Sequence, residues 1–353
     1  MQTLIRIPRI VRLARRLAPG AVLTLALAVS TAAQPARGSL DIYWIDVEGG
    51  AATLIVTPAG QSILMDAGWN REDARDAGRI QAALRDAGVD SLDFFVASHF
   101  HGDHIGGLQA LSERVEIEQF IDHGDSVELA SERGSATWEA YLQVVGDRRR
   151  SIQPGDKLPL RGLEFSFVTA HGATLEQPLM PLGPNPHCGG SWPSPVETGE
   201  NAVSVGYLLS LGAFQFLDLG DSTVGLQLKL ACPVNKLGNV DIYQVPRHGN
   251  GVAPQLTWSL EPTVAIINNG PHKGGGAEGF QVVADTPRLE DIWQGHRPLD
   301  TDPAYRTSDE LTANLTDEDD CDGHWIKATI NPDGRSYSIT NGRNSASRAY
   351  LSR

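Results

Sequence analysis

Cysteine is scarce in this chain and widely spaced. The 353 residues include three cysteines, Cys188, Cys232 and Cys321, and no two of them form a Cys-x-x-Cys pair. This spacing argues against a zinc site built from cysteine thiolates. In an oxidising compartment one pair can form a disulfide and leave one thiol free, and the alternative is three cysteines with no bonding role.

Basic residues are also in short supply. Lysine and arginine total 29 against 43 aspartate and glutamate, for a formal charge of −14. Five arginines lie within residues 1–33, so the rest of the chain has 24 basic against 43 acidic side chains, a charge of −19. A field of this sign repels phosphate polymers. Nucleic acid is therefore a disfavoured partner, and a small-molecule substrate is expected.

The chain lacks an apolar run long enough to cross a bilayer comfortably. The segment "AVLTLALAV" is too short, and no cysteine follows it to carry a lipid anchor. Arginines precede it and the small residues "STAAQ" follow, which is the layout of a secretory signal peptide. We predict a signal peptide over residues 1–33, cleaved after Ala33, and a periplasmic or secreted protein without stable membrane insertion. An uncleaved membrane anchor is the alternative.

Short apolar runs closed by Gly, Asp or Pro begin at Leu40 and predict β-strands: "LDIYWIDV", "ATLIVTP", "QSILMDAG" and "LDFFVASH". A helix is predicted before the fourth run, where Ile80, Leu84 and Ala87 have helical spacing. Hairpins are predicted around Gly212 and at "PDG", residues 332–334. Strands that alternate with helices predict a layered α/β fold for residues 34–353.

Two stretches interrupt this pattern. Residues 171–199 are rich in proline and glycine, which predicts a long loop of the kind that often acts as a lid. Residues 271–324 form a second predicted insertion, with one helix expected around residues 289–293. Trp192 in the first stretch is a candidate aromatic wall for a ligand, and Trp293 in the second is expected to pack in the core.

Metal-binding residue types are concentrated in "VASHFHGDHIGG", residues 96–107. Because residues two apart in extended chain can point the same way, His99 and His101 can bind one cation. Asp103 and His104 are placed to meet a second cation. Imidazole with carboxylate suits zinc, with iron or manganese as alternatives.

Two later strand ends supply further candidate ligands. Asp221 follows the run "FLDLG" and has a carboxylate that can bridge two cations. His248 follows the run "DIYQVP". Since both residues come directly after apolar strands, both are expected at one edge of the sheet.

In these residues the chain resembles the metallo-β-lactamase superfamily. The signature is His99-x-His101-x-Asp103-His104, with Asp221 as bridging carboxylate, His248 as the late histidine and Asp66 in "ILMDAG" as the acid that orients a ligand. The resemblance implies a four-layer αβ/βα sandwich with a dinuclear zinc site. It also implies a nucleophilic hydroxide between two metal ions and catalytic roles for Asp103 and Asp66.

The closest resemblance within the superfamily is to the branch with the hydrolase domain of the competence DNA-uptake channel and the phosphorylcholine esterases. Asn201, in "ENAVSV", stands where many relatives have a third histidine of the first metal site. His171 is the candidate replacement, as ligand or substrate contact, and an ordinary loop histidine is the alternative. Asn201 and Arg247 are candidate substrate contacts.

The remaining histidines are not expected to bind metal or to take part in catalysis. His123 is predicted to be structural, and surface positions are predicted for His187, His272, His296 and His324, with His272 able to border the cleft.

These observations predict an exported, zinc-dependent hydrolase acting on an unidentified substrate, for which a small phosphoester is the hypothesis. One alternative is a metal-containing binding or sensor protein of the same fold. A periplasmic nuclease is the other, disfavoured by the acidic charge.

Overall fold

The computed structural model describes residues 38–189, 197–317 and 321–353. The predicted signal peptide and Trp192 lie outside these ranges. Within the described residues the strands are β1 (Leu40–Trp44), β2 (Thr53–Val56), β3 (Ser62–Met65), β4 (Ser91–Val96), β5 (Glu116–Asp122), β6 (Arg149–Ser151), β7 (Glu164–Ala170), β8 (Ala173–Thr174), β9 (Gly206–Leu211), β10 (Phe214–Asp218), β11 (Ile242–Gln244), β12 (Val264–Ile267), β13 (Asp291–His296), β14 (Thr312–Asn314), β15 (Ile326–Ile330), β16 (Ser336–Asn341) and β17 (Ser347–Leu351). The helices are α1 (Arg75–Ala87), α2 (Gly102–Ile105), α3 (Leu108–Ser112), α4 (Glu132–Val145), α5 (Val224–Ala231), α6 (Pro254–Leu260) and α7 (Ala277–Ala284).

The strands form two sheets. The first has the order β17-β16-β15-β1-β2-β3-β4-β5-β6, and the second has the order β14-β13-β12-β11-β10-β9-β7-β8. Strands β3, β4 and β5 are parallel in the first sheet, as are β10, β11 and β12 in the second. The carboxyl ends of each parallel set therefore lie at one edge of its sheet, where loops gather side chains for a site.

Three apolar clusters separate four layers. The central cluster joins the facing sides of the two sheets, with Val96 and Phe216 among its members. The second cluster packs α1, α3 and α4 on the outer face of the first sheet, and the third packs α5, α6 and α7 on the second. A buried hydrogen bond of 2.7 Å from the Trp44 indole N–H to Gln244 Oε1 links the sheets. The predicted four-layer αβ/βα sandwich is confirmed.

The local predictions have mixed outcomes. Helix α1 ends at Gly88, whose φ of 62° gives the left-handed cap that glycine adopts without steric cost. The hairpins around Gly212 and residues 332–334 are present as β9–β10 and β15–β16. The helix expected around residues 289–293 is wrong, because Asp291–His296 is strand β13.

Residues 271–324 belong largely to the sandwich. They supply α7 and two strands of the second sheet, β13 and β14. Trp293 is fully buried in the central cluster, as expected, but from a strand. The apolar spacing of Leu289 and Ile292 is too short a pattern to separate helix from strand.

A disulfide between Cys188 and Cys232 ties the proline-rich stretch to the end of α5, and Cys321 is free. In the described part of the chain no helix has the length and apolar character that crossing a bilayer requires.

Candidate metal centre

The polar residues that follow the parallel strands converge between the two sheets. Asp66 directly follows β3, the motif of residues 99–104 follows β4, and Asp221 and His248 come three and four residues after β10 and β11. Gly220 permits this approach, because a Cβ on it would lie 2.8 Å from the Ser98 Cβ. The edges of the two sheets therefore form one shared site.

Four side chains, Asp103, His104, Asp221 and His248, make up what we call the four-donor position. All four are buried, and one ligand atom from each lies within 4.8 Å of the others. His104 Nε2 is 3.3 Å from Asp103 Oδ2 and 3.4 Å from Asp221 Oδ1, and His248 Nε2 is 3.4 Å from the same two oxygens. Donors held tetrahedrally at about 2.0–2.1 Å from one zinc ion lie roughly 3.3 Å apart. The spacing fits a divalent ion of that size.

Hydrogen bonding directs the two histidines of this position inward. Neither His104 Nε2 nor His248 Nε2 has a hydrogen-bond partner among the described residues, although both atoms are buried. His104 Nδ1 lies 2.7 Å from Asp66 Oδ2, and His248 Nδ1 lies 3.3 Å from the Asn268 carbonyl oxygen. With Nδ1 protonated by these contacts, each Nε2 presents its lone pair to the site. The residues present therefore fit a bound metal ion.

Charges within the position are strongly coupled. Burial favours the neutral form of Asp221, but His248 and His104 hold the pKa of its carboxyl far below the ordinary value. Burial likewise opposes charge on His104, yet Asp221, Asp103 and Asp66 raise its pKa well above the ordinary value. A metal ion and a proton therefore compete for His104 Nε2.

His99 and His101 form a second group, the histidine pair. His99 Nε2 is 3.0 Å from His101 Nδ1, and the His99 ring lies 4.0 Å from the His104 ring. Burial lowers the pKa of His99 well below its ordinary value, and His104 lowers it further. A neutral imidazole is the form that binds metals.

A buried carboxylate secures the chain around the histidine pair. Glu200 Oε2 accepts from the Phe100 amide and lies 3.0 Å from His123 Nε2, while Oε1 accepts from the Ser126 hydroxyl and the Val127 amide. Burial raises the pKa of Glu200, but the hydrogen bonds from His123 and Ser126 lower it to about 2. One carboxylate thus connects the motif, the loop after β5 and the turn Glu200–Val203.

A cavity of about 420 Å³ opens onto both groups. Its cationic lining residues are Arg133, Arg247 and Lys273. Lys273 Nζ contacts Asp103 Oδ2 and lies 4.9 Å from the centre of the Trp69 ring. Arg247 Nη1 pairs with Glu197 at 2.7 Å, and Arg247 has a φ of 54°, a strained value for this residue type that is typical of functional sites.

Not every candidate from the sequence reaches this centre. Asn201 lines the cavity, as do Asp103, Asp221 and His248. His171 is exposed, does not line the cavity, and stacks on His123 at 6.2 Å. His123 is buried against Glu200 as a structural residue. His272 is exposed and contacts Asp300 and Asp317, outside the cavity lining.

The surface position expected for His296 is wrong. His296 is buried beside Asp46, with Nε2 2.8 Å from Oδ1, and Cys321 lies near both. Arg79 occupies this group too, donating to Asp46 at 2.8 Å and to Cys321 Sγ at 3.0 Å. Since burial raises the pKa of the Cys321 thiol and Arg79 already supplies the positive charge, the group is explained as a buried ion-pair network.

Part of the chain that includes the histidine motif matches a family model. The family model described as the metallo-beta-lactamase superfamily matches residues 45–192, which include the whole His99–His104 motif. The resemblance to the metallo-β-lactamase superfamily is confirmed. The narrower resemblance to the competence and phosphorylcholine esterase branch stays a prediction.

Individual proteins that match this chain are distant in sequence. A UPF0173 metal-dependent hydrolase from Anaeromyxobacter sp. (strain K) is 32% identical over 128 residues, which cover 35% of this chain and 42% of that protein. A UPF0173 metal-dependent hydrolase from Cupriavidus necator is 22% identical over 71% of this chain and 82% of its own. The metallo-β-lactamase fold protein YhfI from Bacillus subtilis aligns with a TM-score of 0.46 at 11% identity, covering 82% of this chain and 99% of that one.

Sequence reasoning missed four side chains at the centre. Lys273 lies in the loop after β12, next to His272, and no pattern in the sequence separates it from other loop lysines. Glu128, Arg133 and Glu200 lie on a loop, a helix start and a short turn with no pattern that marks them. Only the contacts across the fold bring them together.

Proposed function

We propose that the protein is an exported hydrolase that uses two divalent metal ions, zinc or alternatively iron or manganese, to cleave a small phosphoester. The four-donor position is the observation that supports this most strongly. Its two imidazole Nε2 atoms make no hydrogen bond among the described residues, and their spacing of 3.3–3.4 Å from the carboxylate oxygens suits a first-row metal ion. Asp221 belongs to this position and also interacts electrostatically with His99, so it is the candidate bridging carboxylate.

Bound divalent ions would supply two effects here: a shared water acidic enough to attack at neutral pH, and polarisation of the phosphoryl oxygen. The residues of the chain set the geometry. Asp66 holds His104 through Nδ1 and is itself fixed by the Ser98 amide at 2.8 Å and the Ser98 hydroxyl at 2.6 Å. Asp103 contacts Lys273, so its carboxylate links the metal ligands to the side of the cavity where substrate binds.

The cavity supports a small anionic substrate. About 420 Å³ is the volume of a site for a small molecule rather than for a polymer. Arg133, Arg247 and Lys273 line it in a chain whose overall charge is −14. Guanidinium and ammonium groups bind phosphate oxygens, so these three side chains favour a phosphoester over a neutral ester.

Export to the periplasm or beyond is supported by two features. The first 33 residues have the order of a signal peptide, and the Cys188–Cys232 disulfide is of a kind that persists in oxidising compartments.

Hydrolysis by the metal-loaded full chain tests the proposal. We expect turnover of small phosphomonoesters or phosphodiesters, and a loss of at least about a hundredfold in Asp221→Asn. Asp300→Asn, which changes an exposed carboxylate, is the matched control. A folded chain that binds metal but cleaves no phosphoester and no carboxylic ester would instead favour the binding or sensor protein.

A further inference from the structure

The two groups of the metal centre differ in how many donors they supply. The four-donor position has two imidazoles and two carboxylates within 4.8 Å. The histidine pair contributes two imidazoles and its neighbourhood adds one amide, that of Asn201, while the Glu128 carboxylate contacts the outer nitrogen of His101. Affinity for a divalent ion rises with the number and charge of the donors, so the two groups should not bind equally.

We propose that the protein has one strong and one weak metal position, and that Asn201 and Glu128 set the affinity of the weak one. In this assignment Asn201 Oδ1 is a donor beside the histidine pair, and Glu128 positions His101. The inference rests on the proposed metal-dependent function and deepens it. A weak position is filled only at higher metal concentrations, so occupancy by the second metal ion, rather than the first, should depend on how much metal is available.

The histidine pair is arranged as half of a metal position. His99 Nε2 and His101 Nδ1 are 3.0 Å apart, which is close enough for one ion to contact both atoms. The other nitrogens are engaged elsewhere, since His99 Nδ1 is 3.0 Å from Ser98 Oγ and His101 Nε2 is 3.3 Å from Glu128 Oε1. Each ring therefore has one nitrogen for an ion and one held by the protein, as in histidines that bind metals.

Asn201 supplies an oxygen without a partner. Its Oδ1 is buried and makes no hydrogen bond to any residue that the structure describes, and Asn201 lines the cavity together with His101 and Asp221. A buried carbonyl oxygen without a hydrogen bond is destabilising, and a ligand at this place would satisfy it. An amide oxygen is uncharged and harder than imidazole nitrogen, which makes it the weaker donor for zinc.

Glu128 lies on the opposite side of His101 from the histidine pair's shared location. Its Oε1 accepts the Glu200 amide at 3.1 Å in addition to its contact with His101 Nε2. A carboxylate in this position fixes the imidazole orientation and raises its basicity. Glu128 is thus a positioning residue, and its loop is secured by the Glu200 hydrogen bonds to Ser126 and Val127.

Metal titration of the chelator-treated full chain with Zn²⁺ tests this assignment, using calorimetry and elemental analysis. We expect two steps, the second at least about tenfold weaker than the first. His248→Ala should remove the strong step. Glu128→Gln should weaken the second step by about 10–100-fold and leave the first unchanged. Glu132→Gln, a nearby exposed glutamate, is the control.

Two substitutions with opposite expected effects test the role of Asn201. Asn201→Ala should weaken the second step, and Asn201→His, which restores an imidazole, should strengthen it, with thermal unfolding used to verify that both variants fold. Two equal steps in the unaltered chain would overturn the proposal. So would Asn201 and Glu128 variants that leave the second step unchanged, or that weaken both steps alike. Failure to bind any Zn²⁺ would overturn the proposed function itself.

Discussion

The Glu200 carboxylate accepts a hydrogen bond of 3.0 Å from the backbone amide of Phe100, a residue one hundred positions earlier in the chain. Phe100 lies between His99 and His101, so this bond fixes the backbone from which both imidazoles project. The same carboxylate holds Ser126 and Val127, and Asn201 is its neighbour in sequence. The geometry of the histidine pair therefore depends on one buried acid.

The first prediction concerns the stability that Glu200 supplies. Its pKa is about 2, below the ordinary 4.5, so the unfolded chain binds a proton more readily than the folded one. Ionised Glu200 should therefore contribute about 3 kcal/mol above pH 4.5, and this contribution should disappear as the pH falls towards 2. Urea unfolding of Glu200→Gln should show a deficit of that order at pH 7.

The pH dependence separates this charge effect from a packing effect. The difference in free energy of unfolding between Glu200→Gln and the unaltered chain should shrink between pH 4.5 and pH 2, because protonation of Glu200 removes its contribution to stability there. Glu118→Gln, which alters an exposed carboxylate on β5, is the control. A deficit that is constant over this range would contradict the assignment.

The second prediction concerns Asp66. Both oxygens of the Asp66 carboxylate accept hydrogen bonds, Oδ1 from the Ser98 amide and Oδ2 from the Ser98 hydroxyl and His104 Nδ1. Asparagine replaces one of these oxygens with an NH₂ group, so at least one donor is left without an acceptor. Loss of an orienting carboxylate typically weakens metal binding by about 10–100-fold. Competition with a chelator should show this weakening in the strong step of the Zn²⁺ titration.

Asp93 provides the matched control for Asp66. It accepts hydrogen bonds from the Ser62 amide at 2.7 Å and the Ser62 hydroxyl at 2.9 Å, in the same pattern but at the other end of β3. Asp93→Asn should leave Zn²⁺ affinity unaltered. Equal weakening in both variants would mean that the effect is one of general stability.

The third prediction concerns Lys273. Removal of its ammonium group in Lys273→Met should weaken the binding of inorganic phosphate to the metal-loaded chain by about tenfold, or about 1.4 kcal/mol. Calorimetry measures this directly. Lys229→Met, which changes an exposed lysine outside the cavity, should have no effect. Unchanged phosphate affinity in Lys273→Met would remove Lys273 from the proposed substrate site.

The sequence predicts those residues of the centre that directly follow a strand. Val96 ends β4 and the motif begins three residues later, so the position of His99 and His101 can be predicted from an apolar run and its polar exit. The same logic brought Asp221 and His248 to the same edge. The fold followed from the motif through a family resemblance, and not from periodicity alone.

Residues whose contacts join distant parts of the chain cannot be predicted in this way. Glu200 lies in a short turn, and nothing in "TGENAVS" indicates that its carboxylate reaches Phe100. β13 was missed for a related reason: Trp293 is buried because the second sheet continues beyond β12, which is a tertiary property. Local spacing around Leu289 indicated a helix, and tertiary packing decided otherwise.

The last prediction concerns the Cys188–Cys232 disulfide. It closes a loop with a sequence separation of 44, which limits the unfolded chain and should stabilise the folded one by up to about 4 kcal/mol. Cys188→Ser combined with Cys232→Ser should lower the free energy of unfolding accordingly, as measured with urea. A reducing agent should destabilise the unaltered chain and the Cys321→Ser control, but not this double variant, because only the double variant has already lost the bond. Insensitivity of all three proteins to reduction would show that the bond contributes nothing, and would withdraw the support it lends to export.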